Sequence, residues 1–166
     1  ARSAGDTEPV GDIIRQDDTI KLIGRLLWTK DQTKVDKTDE VRKSVMTTMR
    51  NLGTLFVHFK RELPSACSAK EMFDRENWDH LAMAVKKMTT KKIDASSSQH
   101  DKEYPIKYGL KNSLYFQLMK SAELLEGNAL TRRDQKEAAK ELSMFVKVLK
   151  HHENTTFGDA KYLLSK

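Results

Sequence analysis

Between Arg132 and Lys150 the chain carries Arg132, Arg133, Lys136, Lys140, Lys147 and Lys150. From Arg133 onward the steps are three, four, seven and three residues, and on an α-helix such steps return to one side. A row of cations has the chemistry of phosphate contact. Each Lys or Arg that meets a phosphate releases a condensed counterion, so affinity gained this way weakens with salt. A second basic group, Lys86, Lys87, Lys91 and Lys92, surrounds Thr89 and Thr90, and Lys107 and Lys111, four apart, can extend either surface. These two groups are the candidate nucleic-acid-binding residues. Asp134, Glu137 and Glu141 lie beside the row, so the competing reading is a solvated helix face whose charges balance. Aromatic residues are not interleaved with the cations, as stacking on single strands would require. The nucleic-acid reading is therefore duplex DNA held by its backbone.

Other chemistries find less to work with. The histidines are His58, His80, His100, His151 and His152, and none pairs with cysteine or acid at zinc-site spacing. His151-His152-Glu153 comes nearest, but adjacent residues on a helix point in different directions. There is no glycine-rich phosphate loop and no local context marking a Ser, His and Asp set. Glu123 and Glu126 read as outward-facing. The sequence predicts no catalytic residue, no metal site, no small-molecule cofactor and no enzyme activity. The lone Cys67 excludes an internal disulfide and favours a reducing compartment. It reads as a partly buried small residue. Asn154-Thr155-Thr156 fits the glycosylation sequon, which matters only to a secreted protein.

Thirty Lys and Arg face 24 Asp and Glu, giving +6 and a pI near 9.3. That excess permits an acidic partner without requiring one. No apolar run is long enough to span a bilayer, so no membrane partner is expected. The start, ARSAGDTEPVGD, lacks the apolar core of a signal peptide. A nuclear or other intracellular location follows, with secretion as the minority alternative. Residues 1–11 read as a disordered tail, and 12–166 as a single helical domain.

The cations need a scaffold, and the apolar periodicity supplies it. In TDEVRKSVMTTMRNLGTLFVHFKREL, Val45, Met49, Leu52, Phe56, Phe59 and Leu63 recur at steps of four and three. This predicts one long helix over 38–63, about 39 Å in length. Val41, Met46 and Leu55 widen its stripe, Thr38 is placed to cap it, and Pro64 ends it. A helix from Asp17 to Trp28 precedes it. Ser68 with Glu71 forms a capping-box pattern, and Asp74 or Asn77 opens a helix through Met88. The stretch from Thr89 to Glu103 is an irregular connection. Pro105 opens the next helix, with Gly109 marking a close crossing and Gly127 its end. Thr131 caps the basic helix, whose inner face is Ala138, Leu142, Phe145, Val146 and Leu149. A last short helix folds Phe157, Tyr162 and Leu163 back. No strand is predicted. The expected fold is all-α: a compact bundle of about five to seven helices around the long central one.

The runs VRKSVMTTMRNLGTLF, NWDHLAMAVKKM and IKYGLKNSLYFQLMKSAELLEG, in that order, resemble the helical region preceding the catalytic domain of Crypton-like tyrosine recombinases and their domesticated animal relatives. The likeness covers roughly Ile20 to Leu164. It implies an all-helical arm that clamps DNA while a separate domain cleaves. The one His-x-x-Arg spacing, His58 to Arg61, lies inside the long apolar-periodic helix, and Tyr162 lacks the context of the family's catalytic Tyr, so no catalytic role is carried over. Two functions follow as expectations. One is a non-catalytic, duplex-DNA-binding module; the other is a helical protein-interaction domain, including a secreted cytokine-like bundle.

Overall fold

The computed structural model describes residues 8–31, 35–90 and 107–158. Over these residues the chain forms α1 (Glu8–Gln16), α2 (Asp18–Asp31), α3 (Thr38–Glu62), α4 (Trp78–Thr89), α5 (Tyr108–Leu130), α6 (Lys136–His151) and α7 (Glu153–Thr156), with no β-strand among them. Short 3-10 turns at Val35–Lys37, Ala69–Phe73, Arg75–Asn77 and Arg133–Gln135 lead into α3, α4 and α6. The fold is an all-α bundle.

The long helix α3 is its first hub. Val41, Val45, Leu52, Leu55, Phe56 and Phe59 are buried, and Met49 and Leu63 pack at the edge of the core. That face is covered by α1, α2 and α4. Met46, one residue round from Val45, lies on the flank and is exposed rather than widening the buried stripe. Helix α5 is the second hub and carries α6, with which it packs most extensively, as well as α2 and α4. Leu114, Tyr115, Leu118, Ala122 and Leu125 give α5 its buried side. Asn51 Nδ2 donates to Gln117 Oε1 at 3.0 Å, joining the two hubs.

Two glycines allow close helix contact. A Cβ at Gly24 of α2 would fall 2.5 Å from Met49 Sδ on α3. At Gly53 of α3 it would stand 3.3 Å from both Val10 and Ile14 of α1. Gly109, expected at a crossing, faces open space.

Several boundaries differ from expectation. Glu8–Gly11, within the stretch expected to be a disordered tail, belongs to α1. Val10, Ile13 and Ile14 fall on one helical side, and α1 rests on α3. Residues 1–7, Lys91, Lys92, Pro105, Tyr162 and Leu163 lie outside the described residues. Gly127 does not end α5; the helix runs one turn further and buries Ala129. Thr131 is the C-cap of α5 rather than the cap of α6, and its Oγ1 donates to the Asn128 carbonyl at 2.7 Å. Thr38 is the first residue of α3, and Lys37 precedes it as N-cap. In α6 it is Ala139, not Ala138, that is fully buried. Cys67 is exposed.

Asp17 is the polar joint of the N-terminal half. One carboxylate oxygen accepts from the Ile20 N–H (3.0 Å), capping α2. The other accepts from the Ala69 N–H (2.9 Å), at the turn beyond α3. That turn carries the expected capping box: Lys70 N–H donates to Ser68 Oγ (3.2 Å), and Ser68 N–H to Glu71 Oε2 (3.2 Å). Asp17→Ala should cost about 1–2 kcal/mol, since it uncaps α2 and leaves a second N–H without its acceptor. The urea midpoint reads this, and Asp17→Asn should recover part of it. An unchanged midpoint in Asp17→Ala would show that the joint is not structural.

Candidate nucleic-acid interface

The basic row is set by how α6 sits on α5. Ala139, Phe145, Val146 and Leu149 are buried, which fixes the rotation of the helix. Phe145 is fully enclosed, edge-on to Phe73 (5.5 Å) and Trp78 (6.1 Å). At the far end His152 stacks on Trp78 at 5.0 Å, and its Nδ1 lies 3.1 Å from Thr155 Oγ1. Tyr115 of α5 donates to Glu153 Oε1 (3.3 Å) and lies against Phe157 (5.2 Å), holding α7 down. Burial, and then the Glu153 carboxylate, raise the Tyr115 phenol above its ordinary value. The phenol thus remains a neutral donor that anchors α7.

With that rotation fixed, Lys136, Lys140, Lys147 and Lys150 fall within an arc of about 80°. All four are exposed, as are Arg132 and Arg133 at the entry to the helix. None of these six has a carboxylate partner within salt-bridge distance among the described residues. Ser143, half-buried, lies on the same line between Lys140 and Lys147 and adds a hydroxyl that the sequence reading passed over.

The flanking acids are where the structure adds most. Glu141 does not neutralise the row. Its two carboxylate oxygens accept from Arg75 Nε (3.0 Å) and Nη2 (3.3 Å), on the turn before α4. Both side chains are about half exposed, so the pair contributes little stability. Its consequence is electrostatic, because it withdraws a carboxylate from the lysines. Asp134 and Glu137 remain exposed beside the N-terminal end of the row.

Of the second basic group, Lys86 and Lys87 lie among the described residues. Lys87 Nζ is bound to Glu62 Oε2 at 2.6 Å, tying the end of α4 to the end of α3. Lys86 is exposed on α4, which lies mainly against α3 and then α5. Lys107 is exposed and Lys111 half-buried at the start of α5. Phe116, on α5, is 54% exposed.

Among the described residues no group of three or more His, Cys, Asp or Glu is placed to hold a metal ion. Nor is any helix there long and apolar enough to cross a membrane. Comparison with protein-family models, curated proteins and solved structures returns no match. The likeness to recombinase arms therefore stands on the three quoted runs alone.

Proposed function

We propose that this domain is a non-catalytic nucleic-acid module that grips the backbone of duplex DNA with the α6 row: Arg132, Arg133, Lys136, Lys140, Lys147 and Lys150. One observation carries the reading. The row is exposed and without carboxylate partners among the described residues, while its nearest mid-helix acid is held by Arg75. The recombinase resemblance supports the same reading. On it the domain holds DNA for a catalytic partner domain, in the nucleus. Lys86 belongs to a lesser, separate basic surface, and Lys87 serves as a structural tie.

Four to six phosphate contacts give a slope of log K against log salt between about −3.5 and −5.5, with little dependence on sequence. Binding should therefore weaken by about 10² to 10³ between 50 and 200 mM salt. Fluorescence anisotropy with unrelated duplexes of equal length measures both. Failure to retain duplex DNA at 50 mM salt would remove the reading.

A further inference from the structure

The α1–α3 contact leaves an opening. At Gly53 the two helices touch through Val10 and Ile14. Further along, an open groove of about 420 Å³ is lined by Asp12, Ile13 and Gln16 of α1 and by Phe56, Val57, Lys60 and Arg61 of α3. Ile13 and Val57, both half-buried, give it an apolar floor over the buried Phe56. The charges around it are unequally committed. Asp12 is bound to Arg15 at 2.6 Å within α1. Lys60 and Arg61 are exposed and have no carboxylate partner among the described residues.

Cations in a last helical turn are favourable to the helix itself. That accounts for Lys60 and Arg61 being basic, but not for the half-exposed apolar side chains of Ile13 and Val57 beside them. Three occupants are conceivable. A phosphate backbone would use the cations and waste the floor, and Phe56 is too enclosed for a base to stack on it. A second copy, docked about a two-fold axis, would bring the same cations of a basic chain face to face. An amphipathic helix with acidic flanks satisfies both features, since apolar residues at i, i+3 or i+4 and i+7 enter a groove while flanking charges meet its rim. The volume suits the side chains of such a helix rather than the helix itself.

We propose that the α1–α3 groove receives a short acidic amphipathic segment of a partner protein. Its apolar side chains lie on Ile13 and Val57, and its carboxylates face Lys60 and Arg61. This interaction is independent of the α6 row and uses different helices.

The test titrates the whole chain into three fluorescein-labelled helical peptides. The first has leucines at i, i+4 and i+7 with flanking glutamates; the second has lysines for the glutamates; the third has serines for the leucines. The acidic peptide should bind saturably in the micromolar range, and the other two at least about tenfold more weakly. Lys60→Glu with Arg61→Glu should weaken the acidic peptide at least about tenfold, with unchanged circular dichroism. Both side chains are exposed, and the milder Lys60→Ala with Arg61→Ala should act in the same direction should the reversal disturb folding. Neutralising Lys136, Lys140, Lys147 and Lys150 should leave the peptide bound, so this proposal and the DNA reading fail separately. Equal binding of the acidic and basic peptides, no binding, or insensitivity to Lys60 and Arg61 would overturn the groove. Displacement of the peptide by duplex DNA would do so too, assigning these cations to nucleic acid.

Discussion

Replacing Lys136, Lys140, Lys147 and Lys150 together with glutamine should reduce duplex-DNA affinity at 50 mM salt by at least about 100-fold. The salt slope should fall towards about −2, the share left to Arg132 and Arg133. The lysines are exposed, and glutamine has nearly the same helix propensity, so the melting temperature should hardly move. A control variant replaces Arg42, Lys43 and Arg50, exposed on α3, with glutamine. It lowers net charge by a similar amount and should leave most of the binding intact. Equal losses in the two variants would mean that overall charge, rather than the row, attracts DNA. Arg75 acts on the same site at one remove. Freed from Arg75, Glu141 would turn its charge upon the lysines.

The largest effect on stability should come from Phe145→Ala, at about 3–5 kcal/mol. Few core side chains connect so much: Phe145 is wholly enclosed and meets Phe73 on one turn and Trp78 at the start of α4. Truncation removes two edge-to-face contacts and leaves a void that rigid helices fill only in part. In a domain of this size the melting temperature should fall on the order of 10 °C, with Phe145→Leu recovering most of it. Thermal unfolding followed at 222 nm gives the answer. A shift within 2 °C would show that α6 is held by other contacts. Because Phe145 also sets the rotation of α6, the alanine variant should blur the basic row before the domain melts.

The legible and illegible parts of the molecule differ in the range of the forces that fix them. Helix α3 was readable almost to the residue, Thr38–Leu63 against Thr38–Glu62, because seven turns of apolar periodicity leave no competing conformation. The capping box at Ser68 and Glu71 was readable because both partners lie within four residues. The row on α6 was readable as a row for the same reason. Helix α1 was obscured by the polar, glycine- and proline-containing run ARSAGDTEPVGD, and its support comes from Gly53, some forty residues away. Gly127 and Thr131 carry genuine terminator and cap chemistry, but Ala129 finds a buried place and draws the helix past the glycine. The pairings of Arg75 with Glu141 and of Lys87 with Glu62 join segments that local sequence cannot relate. They decide which charges of the candidate surface are free.

The helices that press most firmly on one another are also successive along the chain: α5 with α6, α3 with α4, and α2 with α3. Each such hairpin closes over a modest loop, so little chain entropy opposes its formation. Contacts of this kind place a chain among the rapid folders. Refolding from urea in a stopped-flow instrument should therefore finish within milliseconds. A main phase lasting seconds would mean that some slower event, and not the meeting of neighbouring rods, governs the rate.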